Sequence, residues 1–322
     1  MAGKSLMPVF SVILLALFAG VVSNRAEAQQ TPRYPVSFRI FSPQLFNPAT
    51  VGSKDNSEVF FMAGRYGETS SQLLGLNSRL MKRGASYISS PGYPEFRNAG
   101  LGGFIFNDVS EHSRNTGLGG SFSYHLPLGD DELSFLSFGL TAKAVFNRYS
   151  GDPDLGETAK TSFFPDFDAG IYFYGPNLFA GISAVNLMGK PDDPDTTDSY
   201  VIQASREYYF QIGYKALLIE SWGFVIEPSL IVNTGDTLSG KFSDMLKPAL
   251  KIYAGNFCAG TFINDFHKTS IFFQFKYPSF YIGTYFEMHN NSPFFRMPLR
   301  AEIVLGLNLS SVKSGFSRKN HW

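Results

Sequence analysis

The chain has 322 residues, 27 basic against 27 acidic side chains, and a single cysteine. A balanced charge gives no bulk electrostatic pull on nucleic acid, and no basic stripe interleaved with aromatics overrides it. One thiol, Cys258, supports neither an internal disulfide nor a multi-thiolate metal site.

The first element is a targeting segment. Lys4 supplies a positive start, residues 8–22 (PVFSVILLALFAGVV) form an apolar run, and Ala26-Glu27-Ala28 puts small residues at the two positions a signal peptidase reads. Cleavage is expected before Gln29, which assigns 1–28 to a Sec signal peptide. A permanent anchor would need a longer apolar stretch. The mature chain then carries 25 basic and 26 acidic residues, since Lys4, Arg25 and Glu27 leave with the leader. It contains no apolar run of transmembrane-helix length. Only helices and closed barrels span lipid, so the mature chain is either a soluble exported protein or a barrel.

Residues 29–56 come next, as an entry segment in the lumen or at the periplasmic rim. Pro43 and Pro48 each remove a backbone donor and push the preceding residue toward extended geometry, which argues against a mid-sheet strand. Asn47 is placed to pin a turn through its side chain.

From residue 57 to 310 the pattern is strand after strand. In 136–147 the even positions read Leu136, Phe138, Leu140, Ala142, Ala144 and Phe146, while the odd ones are polar or small except Val145. Phe122, Tyr124 and Leu126 oppose Ser121, Ser123 and His125, and 280–289 alternates likewise. A period of two is a strand signal, and helical spacing fits none of these runs. About fourteen strands (12–16) of roughly nine to eleven residues are expected, the span of a tilted transmembrane strand. They begin near residues 57, 72, 100, 116, 133, 166, 178, 208, 222, 244, 256, 267, 279 and 299. Short connections at 129–131, 175–177, 218–221, 254–256 and 277–279 alternate with longer ones at 108–115, 148–165, 188–207, 235–243, 264–268 and 289–298. Short periplasmic turns and long outer loops are the habit of outer-membrane barrels. The exception is 81–99, a long Pro/Gly-punctuated segment where the count calls for a short turn. Residues 311–322 form a C-terminal tail. Abundant aromatics and glycines fit curved strands. The fold class is therefore all-β, a transmembrane antiparallel barrel; the competing architecture is a soluble β-sandwich.

Catalytic and cofactor signatures are wanting. The five histidines, His112, His125, His267, His289 and His321, share no metal-binding spacing. There is no Gly-x-Ser-x-Gly elbow, P-loop or dinucleotide fingerprint. Asp166 and Asp168 share the inward face with Gly170 and Tyr172; a polar lumen needs such residues, and acid/base work with His125 or His289 is the alternative. The run 191–198 (PDDPDTTD) reads as a solvated loop, since it lacks the spacing of a calcium loop. The glycine-rich 100–103 and 117–120 read as close packing in a curved sheet. No catalytic, cofactor-binding or metal-ligating residue is assigned, and no enzyme activity or cofactor is expected.

Two stretches carry a resemblance. Ser42-Pro43-Gln44-Leu45-Phe46-Asn47-Pro48-Ala49-Thr50-Val51-Gly52-Ser53 resembles the Asn-Pro-Ala-x-x-Gly entry segment of the PorP/SprF family of type IX secretion membrane proteins. Phe164-Pro165-Asp166-Phe167-Asp168-Ala169-Gly170 is similar to its Pro-Asp-x-x-x-Gly strand, and Gly181-Ile182-Ser183-Ala184-Val185-Asn186-Leu187 to its Gly-x-Ser-x-x-Asn-Leu strand. Ser137-Phe138-Gly139-Leu140 matches a Ser-Phe-Gly-Leu strand between them. Where the family carries Arg-x-Gln-Trp, this chain reads Ala63-Gly64-Arg65-Tyr66-Gly67. The resemblance implies a structural component of type IX secretion in the outer membrane of Bacteroidota, sometimes coupled to gliding. It would anchor periplasmic machinery or retain a secreted adhesin. Its partners would be outer-membrane lipid and secretion components, met through loops 148–165 and 188–207, the segment 81–99 or the tail Lys313–Trp322. The rival is a channel for hydrophobic solutes resembling the fatty-acid transporter barrels, with Tyr172, Tyr174, Tyr281 and Tyr285 along its path.

Overall fold

The computed structural model describes residues 38–54, 57–81, 96–110, 113–128, 134–150, 159–189, 205–235, 242–263, 266, 268–277, 279–289 and 300–309. The signal peptide, most of loop 188–207, the acidic run 191–198, His112, His267, His321, the side chain of His289 and the tail lie outside the described residues.

The strands are β1 (Glu58–Tyr66), β2 (Thr69–Met81), β3 (Phe96–Val109), β4 (Ser113–Pro127), β5 (Phe135–Tyr149), β6 (Lys160–Tyr174), β7 (Leu178–Val185), β8 (Glu207–Tyr214), β9 (Ala216–Ile219), β10 (Phe224–Gly235), β11 (Leu246–Ala254), β12 (Phe257–Phe262), β13 (Lys268–Lys276), β14 (Phe280–His289) and β15 (Arg300–Asn308). All neighbours pair antiparallel. β8 and β9 both pair with β10 and are separated by Lys215 alone, so they form one bent stave. β15 pairs with β1, and β10 with β11, which closes the ring at fourteen staves. Closure leaves no sheet edge running the length of the wall, the condition for burying strands in lipid.

Alternation sorts the two faces. Leu118, Phe122, Leu140, Phe163, Ile182, Phe210, Ile271 and Leu305 point out and are exposed, as a lipid-facing band requires. Ser121, Ser123, His125, Ser137, Thr141, Asp166 and Asp168 point in and are buried. The inward face also explains the joint abundance of aromatics and glycine. Phe60 lies over Gly75, Phe104 over Gly119, Phe106 over Gly117, Phe179 over Gly213, Phe272 over Gly260 and Tyr281 over Gly306. Each is a directly opposed cross-strand pair. A ring occupies the room the glycine leaves, covers its backbone and lets the wall curve. Cys258 is inward and buried.

Several expected boundaries move. β3 starts at Phe96 rather than near 100, β6 at Lys160 rather than 166, and β11 at Leu246 after a single helical turn, Phe242–Met245. The connection expected at 148–165 is therefore shorter, because Pro165 sits inside β6. Proline is tolerated in a strand where it interrupts no ladder. Among the described residues β7 pairs β6 only from Ala169 to Tyr174, so Pro165 has a pairing on one side alone. β2 to β6 run 13 to 15 residues, longer than lipid requires. Part of the segment 81–99 is strand: Met81 pairs with Phe96 at the end that carries the short turns, and 82–95 lie outside the described residues. At that end the two-residue turn Gly255–Asn256 uses a glycine at φ +59, a backbone position other residues rarely adopt.

Candidate functional site

Residues 38–54 lie inside the barrel. The segment is a helical turn (Phe38–Phe41) followed by two 3-10 turns, Pro43–Leu45 and Pro48–Thr50. Each 3-10 turn begins at a proline, whose fixed φ and missing donor suit a first helical position. Asn47 caps the second: its Oδ1 accepts from Ala49 N at 3.0 Å, and Thr50 Oγ1 donates to Asn47 O at 2.9 Å. Phe46, Asn47, Ala49 and Val51 are essentially inaccessible.

The wall is shaped to receive this segment. An added Cβ at Gly139 would stand 2.3 Å from Ala49 N and from Pro48 C. One at Gly170 would stand 2.2 Å from Asn47 Oδ1, one at Gly181 2.8 Å from Asn47 Nδ2, and one at Gly100 2.5 Å from Val51 O. Only glycine admits so close an approach. Polar contacts then fix the register. Asn47 Nδ2 donates to Ile171 O (3.2 Å), Gln44 Nε2 to Leu76 O (3.2 Å), Ser123 Oγ to Val51 O (2.6 Å) and Ser183 Oγ to Phe46 O (2.5 Å), while Gly52 N donates to Asn77 Oδ1 (2.7 Å). Phe46 also lies against Tyr209 of β8, next to β7, and on the far wall Phe41 packs edge-on to Phe272 of β13. The segment thus bridges opposite walls.

The four motifs quoted above converge on one point. Asn47-Pro48-Ala49 of the entry segment, Gly139 of β5, Gly170 of β6 and Gly181 and Ser183 of β7 form one packed contact. Sequence reasoning treated them as separate strand signatures. Their shared pattern, a small residue on the inward face of consecutive strands, is visible only after pairing.

Asp166 and Asp168 are inward, as the alternation requires, and engage Lys143 rather than a histidine. Lys143 Nζ lies 2.6 Å from Asp168 Oδ1 and 3.4 Å from Asp166 Oδ2, and donates to Asn186 Oδ1 at 2.8 Å. The carboxylates also accept backbone donors beyond β7: Asn186 N on Asp168 at 2.8 Å and Met188 N on Asp166 at 3.1 Å. Asn186 holds φ 57 there. The group is a buckle that ties the start of the β7–β8 connection to β5 and β6.

His125 is inward too. Its Nε2 is 3.1 Å from Ser123 Oγ and its Nδ1 2.5 Å from Ser137 Oγ and 3.2 Å from Tyr174 OH. Arg79 Nη1 donates to Tyr174 OH at 3.0 Å and its guanidinium stacks 4.6 Å over Phe135. The Ser123–His125 pair is a nominal hydrolase pairing, but Ser123 donates its proton to Val51 O and the pair is fully covered by the entry segment. It faces neither lipid nor rim; here it seats the segment. Tyr172, Tyr174, Tyr281 and Tyr285 all point inward, so membrane-interface girdles do not account for them. Tyr174 is tied to Arg79 and His125, and Tyr285 OH donates to Glu287 at 3.1 Å. Among the described residues no group of three metal-ligating side chains assembles.

The sequence model of a family described as "Type IX secretion system membrane protein PorP/SprF" matches residues 26–306. No curated protein matches the chain. Among solved structures, the outer membrane protein Omp33 of Acinetobacter baumannii is similar at 10% identity and a TM-score of 0.39, over 80% of this chain and 99% of that one. CdiB of Acinetobacter baumannii is similar at 7% identity and a TM-score of 0.37, over 78% of this chain and 59% of that one. BamA from Haemophilus ducreyi lacking POTRA domains 1–3 is similar at 9% identity and a TM-score of 0.36, over 79% and 70%.

Proposed function

Since the chain belongs to the PorP/SprF family of type IX secretion system membrane proteins, we propose that this outer-membrane barrel is a non-enzymatic binding component of that secretion route. Its role is to hold periplasmic machinery, or a secreted adhesin, at the outer membrane, with gliding as the motile outcome where the adhesin moves. The source is a member of the Bacteroidota, and the barrel reaches the outer membrane by Sec export with cleavage before Gln29.

One observation carries the reading. The lumen is crossed by a buried segment hydrogen-bonded to β2, β4, β6 and β7 and packed through Phe41 against β13 across the lumen. A conduit needs an open path; a platform needs a rigid wall with its own filling. The inward carboxylates and the Ser123–His125 pair support the same reading, because both are engaged in holding chain. Contact surfaces are then the outer connections 150–159 and 188–206, the turn-side segment 82–95 and the tail Lys313–Trp322.

The test is a mild crosslink in native outer membranes and recovery through a tag in the tail. Co-recovery of periplasmic secretion components supports the anchoring role, and recovery of a large secreted adhesin supports retention. Recovery of the barrel alone, at a yield where an established complex is captured, removes the proposal and favours the hydrophobic-solute channel.

A further inference from the structure

The outward face of the tall strands changes character at one level. On β5 the apolar outward run from Leu136 to Phe146 rises about 25 Å at the usual strand rise and tilt, the height of a hydrocarbon band. One outward step beyond it stands Arg148, directly opposed by Arg114 of β4. Both are exposed and of the parity that faces lipid. The same cross-strand row runs through Val109 and Ser70 to Arg65 on one side and to Thr161 on the other. From β1 to β6 it is basic or polar at every strand except β3. Just beneath the arginines, the Phe146 and Phe163 rings lie 5.0 Å apart, an aromatic pair of the kind that marks a membrane interface.

Like charges directly opposed on one face of a strand pair repel. The wall nevertheless fixes one of them. Asn107 Oδ1 accepts from Arg114 Nε at 2.7 Å and from Thr116 Oγ1 at 3.2 Å, and Asn107 Nδ2 donates to Gln72 Oε1 at 3.0 Å. That contact uses the Nε of Arg114 and leaves its two terminal nitrogens for another acceptor. A guanidinium fork matches the oxygens of a phosphate, and two adjacent forks match one phosphate group from both sides. Further down the same face the wall is low where Gly120 opposes Ala142, and nothing lies within 4 Å of a carbon added to Gly120. An acyl chain has room there.

We propose that the outward face of β4 and β5 binds the phosphorylated headgroup of an outer-leaflet lipid, with Arg114 and Arg148 on the phosphate and an acyl chain against the wall at Gly120 and Ala142. The ligand follows from position, not from a sum of charges at that end. The end with the long connections faces away from the periplasm. A basic side chain of lipid-facing parity just past the apolar band lies among headgroups. The connection between β5 and β6 carries Asp152, Asp154 and Glu157, which lie outside the described residues and are the rival acceptors. The inference needs the barrel alone and is independent of the secretion role proposed above.

The test titrates the purified intact protein in neutral detergent with bisphosphorylated lipid A, and with the same lipid stripped of both phosphates, while native mass spectrometry counts bound lipid. The phosphorylated lipid is expected to bind the wild type more tightly, and excess inorganic phosphate is expected not to displace it. The double variant Arg114→Gln/Arg148→Gln is expected to lose about tenfold or more in affinity, the scale of two basic residues at an anionic surface. Arg65→Gln, at the same height but away from the pair, is expected to lose little. Heat-modifiable gel mobility verifies that each variant remains a folded barrel. Equal binding of the two lipids by the wild type overturns the proposal without recourse to any variant. Displacement by inorganic phosphate also overturns it, as does a loss in Arg65→Gln equal to that of the double variant. Binding that appears only after Asp152→Asn/Asp154→Asn/Glu157→Gln overturns it too, since the connection's own carboxylates then hold the arginines. Because no secretion partner enters the assay, its failure is separate from failure of the crosslinking test.

Discussion

Replacing Gly139 with alanine tests the fit between entry segment and wall most sharply. The new Cβ would lie 2.3 Å from Ala49 N and Pro48 C and 2.5 Å from Ala49 Cα, against the 3.4–4 Å of ordinary contact. The obstructing atoms are backbone, so no rotamer change relieves the clash, and the segment must retreat by about 1 Å. That retreat stretches the Ser123–Val51 and Asn47–Ile171 hydrogen bonds, now 2.6 and 3.2 Å, toward or past useful length. Overpacking costs about 1–3 kcal/mol and each lost bond about 1 kcal/mol, so seating weakens by roughly 3–5 kcal/mol. The population with the segment displaced then rises by roughly two to four orders of magnitude. Trypsin reports it directly: Arg39 is packed between Phe38 and Tyr209 in the seated state, and becomes a cleavage site when the segment leaves. Gly120→Ala is the matched control, because nothing lies within 4 Å of its added carbon. Equal protection of Arg39 in wild type, Gly139→Ala and Gly120→Ala would refute the packing argument.

Asn47→Ala removes a cap and a donor to the β6 backbone, and is expected to cost about 1–3 kcal/mol in thermal stability with the same new tryptic site. Asn47→Asp keeps the cap but not the donor, and should recover only part. Lys143→Met leaves Asp166 and Asp168 facing each other without their cation, at a cost of about 3–5 kcal/mol. The triple change Lys143→Met/Asp166→Asn/Asp168→Asn should regain more than half of that in denaturant unfolding; no recovery would show that the carboxylates matter for something other than the ion pair. Leu140→Arg places a cation on the lipid face at a residue 64% exposed, near the middle of β5, and should cost about 2–4 kcal/mol in folding into vesicles. A cost near zero would mean that Leu140 does not face hydrocarbon.

The sequence made the wall legible and left its filling obscure. Period-two alternation in 136–147 separates the lipid face from the lumen residue by residue, because one face meets hydrocarbon and the other polar groups. The same rule put Asp166 and Asp168 inward. It could not show that Lys143 meets them, since the pairing Lys143↔Asp166 depends on a hairpin register that its connection conceals. Strand ends misled wherever a proline or glycine suggested a loop. Pro165 lies in β6 because the ladder there is one-sided, and Asn98 and Ala99, read as the end of a loop, belong to a strand begun at Phe96. Least legible was the cradle. Asn47 meets Ile171 across 124 residues, and a glycine chosen for close approach looks in sequence like any other glycine. The tyrosines follow the same parity rule as the carboxylates: an aromatic on a barrel strand serves lipid or lumen according to parity, and Tyr172, Tyr174, Tyr281 and Tyr285 are all of lumenal parity.

Solute flux separates platform from conduit most directly. The purified intact protein would be placed in liposomes loaded with a small hydrophilic dye outside and a fluorescent fatty acid in a parallel set. At a protein density where a porin equilibrates the dye, the account predicts no entry of either compound through the wild type, and dye entry through Gly139→Ala. Rapid uptake of the fatty acid by the wild type would contradict it and make the barrel a transporter.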